Sequence, residues 1–125
     1  MNEPNRSWTQ QRGHTAELAA CDFLRKQGFG LVKQNFRSPY GEIDLIMLEG
    51  ELLVFIEVRQ RPRSHFGSAI DSVTASKCRK IARTAAYYLQ THPEHRHRAC
   101  RFDVIGAVAS QGDWQFQWVR DAFRL

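Results

Sequence analysis

Two kinds of periodicity alternate along this chain. Ala16, Ala19, Ala20, Phe23 and Leu24 recur at helical spacing, which predicts an amphipathic helix running from Gly13 to a C-terminal cap at Gly28. LVKQNF (31–36) alternates in part and reads as a short strand, and RSPYG (37–41) as a turn. IDLIML (43–48) and LLVFIEV (52–58) are apolar strand sequences, with Glu49-Gly50 expected as the tight turn of a hairpin. RQRPRSHFGS (59–68) is a basic loop punctuated by Pro and Gly. Cys78, Ile81, Ala82, Ala85, Tyr88 and Leu89 predict a second helix over 74–91, with Lys77, Lys80 and Arg83 on a separate basic face. HPEHRHR (92–98) reads as a loop, then CRFDVIGAV (100–108) and WQFQWV (114–119) as strands around the turn SQGD. The expected fold is a single α/β domain of order α-β-β-β-α-β-β over residues 12–125, preceded by a flexible tail at 1–11.

The most apolar region, residues 41–61, holds five carboxylates. Glu49 and Glu51 flank Gly50 and suit a turn, whereas Glu42, Asp44 and Glu57 lie within or beside the apolar runs. With a turn at Glu49-Gly50, Asp44 faces Phe55 and Glu57 faces Glu42. Asp44, Glu57 and Arg59 then project to one side, the two acids diagonal to each other. Desolvated carboxylates have to be paired, protonated or bound to metal. Two readings stay open: an ion pair with Arg59 or Arg37 at a strand end, or an acidic pocket for a hard cation. Glu17 bears on the choice, since it falls on the apolar flank of the first helix. It either completes an oxygen-donor set with Asp44 and Glu57 or serves the helix dipole.

Composition narrows the class. With 125 residues the chain is one domain of ordinary size, and 42% hydrophobic with 25% charged residues is neither disordered nor membrane-like. No apolar run approaches the roughly 20 residues of a membrane span, and the first twelve residues lack the apolar segment of a signal peptide. A cytoplasmic location is expected, with no membrane partner. Cys21, Cys78 and Cys100 are odd in number and dispersed, as expected for reduced, buried thiols. The net charge is +5, and fourteen of the eighteen cations are arginine, which is compatible with a nucleic-acid partner. His92, His95, His97 and Cys100 match no zinc-finger spacing. Asp103, flanked by apolar residues, is expected to partner an arginine.

Gly13-x-x-Ala16-Glu17, Arg37-x-x-x-Gly41-Glu42-Ile43-Asp44-Leu45-Ile46 and Phe55-Ile56-Glu57-Val58-Arg59-x-Arg61 together resemble the YraN-like uncharacterised family of bacteria. Lys77, Arg101-Phe102-Asp103-Val104 and Trp118-Val119-Arg120-Asp121-Ala122-Phe123 extend the likeness to most of the chain. That family in turn is similar to the restriction-endonuclease-like, or PD-(D/E)XK, nucleases, and among those to the archaeal Holliday junction resolvases. The resemblance implies a central mixed sheet flanked by helices and Mg²⁺-dependent (or Mn²⁺-dependent) phosphodiester hydrolysis. It implies Asp44 and Glu57 as metal ligands, Glu17 as a direct or water-mediated one, and Arg59 at the position usually held by a catalytic lysine. Arginine grips phosphate but does not surrender a proton near neutral pH, so a base-like role is lost there.

On that reading Arg37, Arg61, Arg63, Lys77, Lys80 and Arg83 are phosphate contacts, giving salt-sensitive binding of DNA with little sequence preference. A resolvase-like activity would also call for a homodimer. The expected function is an endonuclease of branched or structured DNA. The alternatives are a nucleic-acid-binding module without catalysis, and a protein-interaction domain using neither metal nor nucleic acid.

Overall fold

The computed structural model describes residues 8–62 and 69–124, with side chains from Ala16 onward. The elements are α1 (Trp8–Lys26), β1 (Gly30–Ser38), β2 (Gly41–Glu49), β3 (Leu52–Gln60), α2 (Ala75–Thr91), β4 (Cys100–Ser110) and β5 (Asp113–Val119). Short 3₁₀ turns at Ala69–Ser72 and Pro93–His95 flank α2. The five strands form one mixed sheet in the order β1-β2-β3-β4-β5, all neighbours antiparallel except the parallel pair β3–β4. The expected α/β class and element order are what the chain adopts. Helix α1 begins at Trp8, inside the stretch expected as a tail.

Local chemistry explains the boundaries. At the end of α1, Gly28 takes φ of +99°, its N–H bonds the Arg25 carbonyl, and the Phe29 N–H bonds that of Leu24. This is the paired-bond termination a left-handed glycine permits. Helix α2 starts at Thr74, whose side chain accepts the Lys77 N–H at 3.1 Å.

Each helix covers one face of the sheet. Ala20, Cys21 and Leu24 of α1 pack with Leu45, Met47, Val54, Ile56 and Ile105. Ile81, Ala85 and Tyr88 of α2 pack with Ile46, Leu53, Phe55 and Val104 on the other face. The small alanines of α1 let that helix lie close, as their pattern predicts. Of the cysteines only Cys21 is buried; Cys78 is half-buried and Cys100 exposed, which corrects the expectation for those two.

The β2–β3 hairpin turns at Gly50-Glu51 rather than Glu49-Gly50. Ile46 pairs with Phe55 and Glu49 with Leu52, a shift of two residues from the expected register. Gly50 has φ of +60°, and placing it first in a two-residue turn keeps the left-handed position on the one residue without a Cβ penalty. Glu49 stays in the strand, 2.9 Å from Arg101 and 3.1 Å from Arg120. Because the shift is even, every side chain keeps its expected face. Glu42 does not face Glu57: it pairs across β1 with Arg37, their side chains 3.4 Å apart.

Asp103 anchors the far side of the molecule. It is 1% exposed and takes two bonds from Arg101, at 2.8 and 2.9 Å. Trp118 Nε1 and the Asp121 N–H also donate to it, each at 3.0 Å. This carboxylate therefore ties β4 to β5 and to the segment that follows. Replacing Asp103 with Ala leaves two guanidinium donors, the Trp118 indole and the Asp121 N–H without their acceptor, while Glu49 still pairs Arg101, an expected loss of about 2–4 kcal/mol. Equilibrium urea unfolding should show this as a lower midpoint with an unchanged slope.

Candidate active site

Strands β2 and β3 pair only as far as Leu45–Ile56. Beyond that point β2 continues against β1 alone, and β3 against β4 alone. The next residue on each side of the fork is an acid: Asp44 on β2 and Glu57 on β3, 7% and 6% exposed. Backbone pairing between the strands has ended there, and the Asp44 side chain replaces it: the Val58 N–H donates to Asp44 Oδ2 at 2.8 Å. Fixing the carboxylate to the opposite strand sets its position within the fork.

Cations meet Glu57 from two directions. Lys77 Nζ of α2 lies 2.9 Å from Glu57 Oε2, and an Arg59 terminal nitrogen 3.4 Å from the same oxygen. Arg59 is also held by its Nε, which donates to Ser72 Oγ at 3.2 Å, while the Ser72 hydroxyl donates to the Ala69 carbonyl. Gly106 makes this buttress possible. A Cβ there would lie 2.7 Å from the Ala69 Cβ, so any side chain on β4 at that point would displace the 3₁₀ turn carrying Ser72.

The environment holds Asp44 protonated well above the usual carboxylate range, its pKa pushed up to about 8. Burial is the main cause, followed by the charge of Glu57; the bond from Val58 opposes them, and the charge of Glu17 and a hydrogen bond shared with Glu57 add to the rise. A cavity of about 400 Å³ opens over the pair, lined by Glu42, Thr74, Ser76, Lys77, Lys80 and Ile81 among others. Thr74 and Ser76 place the N-terminus of α2 at its rim, the positive end of the helix dipole.

The residues expected at a site fare unequally. Asp44, Glu57 and Arg59 come together, and Glu17, half-buried on α1, is near enough for its charge to act on Asp44. Among the described residues no three His, Cys, Asp or Glu side chains stand as a ready-made metal cluster. Lys77 departs from its expected place on an outer basic face, because it turns inward onto Glu57. Its spacing from Ile81 and Thr84, both buried, puts it on the packing stripe of α2 and could have revealed this. Lys80 lines the cavity, and Arg83 is exposed on α2. Arg37 is exposed and paired with Glu42. Arg61 is half-buried, its backbone N–H bonded to the Ala107 carbonyl. Arg63 lies outside the described residues. His92 and His95 stack on Tyr88, and His95 accepts a bond from Arg98, so these imidazoles serve packing.

Comparison with known proteins agrees with the motifs. Residues 16–107 match the profile of the uncharacterised protein family UPF0102. A UPF0102 protein of Nitrosococcus oceani is 43% identical over 116 residues, 93% of this chain and 94% of that protein. One from Alcanivorax borkumensis is 46% identical over 112 residues, 89% and 90% of the two chains. One from Coxiella burnetii is 44% identical over 119 residues, 95% and 97% of the two chains. The chain belongs to the UPF0102 family, and the YraN-like resemblance of its motifs is thereby upheld.

The raised Asp44 pKa has a thermodynamic signature in metal-free protein. A folded pKa near 8 against an ordinary value of 3.8 means the folded state binds the extra proton between those limits. The associated stability is full below pH 4 and is lost as pH rises toward 8. Asp44→Asn removes that loss, so its stability relative to wild type should climb from pH 4.5 to about 8 and then level off. Urea unfolding across that range in a chelator checks it; a difference independent of pH would contradict the assignment.

Proposed function

We propose that this member of the UPF0102 family is a metal-dependent nuclease that hydrolyses phosphodiester bonds in branched or structured nucleic acid, DNA foremost. The observation that carries the reading is the buried Asp44–Glu57 pair in the sheet fork, facing a cavity shared with Lys77 and the N-terminus of α2. Structural ion pairs do not require two acids to be buried side by side where one must keep a proton. The resemblance of the motifs to the PD-(D/E)XK nucleases supports the same class.

The residues fit a hard divalent cation. Two adjacent carboxylates in a desolvated fork repel each other, and a cation between them would relieve that repulsion while displacing the Asp44 proton. Two protein carboxylates are a sufficient anchor for Mg²⁺ or Mn²⁺, which keeps several waters and takes further oxygens from phosphate. Asp44 and Glu57 would hold it, with Glu17 acting from α1. Once bound, such an ion supplies Lewis-acid charge neutralisation and a more acidic water.

The remaining chemistry belongs to the chain. Lys77 brings a compact ammonium into the cavity, and Arg59, tethered to Ser72, holds a fixed guanidinium against Glu57. The N-terminus of helix α2 lies at the rim of the space a phosphate would enter. Lys80 and Arg83 extend the positive face outward. A second reading, a binding module without catalysis, draws on Arg59, since its Nε and one terminal nitrogen are already engaged and it cannot act as a base.

Cleavage of junction, flap, single-stranded and duplex DNA in Mg²⁺ or Mn²⁺ tests the proposal. Asp44→Asn and Glu57→Gln should each lower it by roughly 100-fold or more, and each should abolish the rise in melting temperature that Mn²⁺ gives the wild type. Lys77→Met should cost more activity than Arg59→Met, by about tenfold. Salt-sensitive binding with no cleavage of any substrate would select the second reading instead.

A further inference from the structure

We infer that an aromatic wall beside the acidic cavity is a stacking subsite for an unpaired nucleobase. The substrate is then single-stranded next to the bond that is cut. The inference rests on the proposed nuclease reading and specifies its substrate class.

The wall is assembled from three places in the chain. Tyr40 sits in the turn between β1 and β2 and is 50% exposed, an unusual position for so large a ring. Its ring meets Tyr87 of α2 edge-on at 6.2 Å; Tyr87 in turn lies 6.3 Å from Phe36 of β1, and Phe36 6.0 Å from His92. The turn bearing Tyr40 is braced. The Tyr40 N–H donates to Ser38 Oγ at 3.0 Å, and that oxygen lies 3.2 Å from Thr84 Oγ1, whose hydroxyl donates to the Lys80 carbonyl. Tyr40 is thus a ring presented on a rigid support. A stacking platform needs this, since little ordering entropy is then left to lose on binding.

Two features choose a nucleic acid as the occupant. The first is charge. Arg37 is exposed beside the wall on β1, Lys33 further along it, and Arg83 is one helical turn before Tyr87 on α2. A second cavity of about 580 Å³ runs past Phe36, Tyr88 and His92 between Lys33 and Arg37, with Glu94 among its lining residues. Rings framed by cations suit bases stacked between phosphates, whereas a purely phosphate-binding groove has no use for the rings or for Glu94. The second is continuity. Gly41, the neighbour of Tyr40, lines the acidic cavity, and Lys80, Arg83 and Tyr87 lead along the accessible side of α2 from that cavity to the wall. From Lys80 to Tyr87 this line spans about 10 Å, room for one or two nucleotides leading away from the scissile phosphate. Within a duplex the base faces are covered by stacking on neighbouring pairs, so the strand here has to be unpaired.

The test is fluorescence anisotropy in EDTA, where no cleavage occurs, with an oligothymidylate of roughly 20 nucleotides and a blunt duplex of equal length. Tyr40→Ala and Tyr87→Ala should each weaken single-strand binding by about 5- to 100-fold and leave duplex binding within about twofold. Tyr40→Phe should bind like wild type, because the ring remains; equal urea midpoints for the variants establish that folding is intact. Single-strand affinity unchanged in both alanine variants would overturn the subsite and leave the nuclease reading standing. Equal losses on both probes would overturn base stacking as the cause. A wild type that binds neither probe would overturn the subsite, the nuclease reading being decided separately by the cleavage assay.

Discussion

One hydrogen bond organises the functional end of this molecule: the Val58 N–H given to Asp44 Oδ2 across the gap where β2 leaves β3. Pairing between these strands stops after Leu45–Ile56, so backbone groups beyond that point need other partners. Using a side chain as the acceptor lets the strands diverge without orphaning the donor. It also commits a carboxylate to a buried place, beside a second one. From this follow the proton retained on Asp44, the lysine drawn in from α2, and the arginine braced by Ser72. A fold seeking stability alone would carry an apolar pair at 44 and 57, because buried ion pairs seldom outperform well-packed hydrophobes.

The elements were legible because their signals are local and agree with one another. Alanine spacing announced α1, glycine its end, and alternation or apolar runs the strands. The shared face of Asp44, Glu57 and Arg59 was also legible, for a reason that forgives error. Gly50 leads the turn instead of closing it, and the resulting shift of two residues preserves side-chain parity. Cross-strand neighbours are less forgiving, and the expected Glu42–Glu57 opposition dissolved into an exposed Arg37–Glu42 pair.

What stayed hidden depends on parts of the chain that meet only after folding. Asp103 read as a partner for an arginine, and Arg101 fills that role, but Trp118 and the Asp121 backbone join it from fifteen and eighteen residues away. Phe36, Tyr40 and Tyr87 carry no joint signature in the sequence, since no two of them share an element; the β1–β2 turn and α2 bring them into one wall. Lys77 is an intermediate case. Charge favoured an outward assignment, while its spacing from Ile81 and Thr84 pointed inward, and the buried acid at 57 draws the ammonium inward while the side chain stays partly exposed.

Charge balance links these residues to the proposed chemistry. Glu17, Asp44 and Glu57 when ionised bring −3, and Lys77 with Arg59 brings +2, leaving −1 in the fork. That residual charge adds to burial, the main cause, in keeping the proton on Asp44 in the metal-free protein, and it would repel a phosphodiester. On the proposed reading a divalent cation reverses the sign, −1 + 2 = +1, and the fork then complements a single phosphate negative charge. Arginine at 59 fits this balance as well as lysine would, because what the cavity asks of that position is permanent charge and a fixed direction. The mobile, compact cation comes from α2, as Lys77. On the proposed reading the fork's lysine is therefore supplied by a helix rather than by the strand where the motif leads one to look for it.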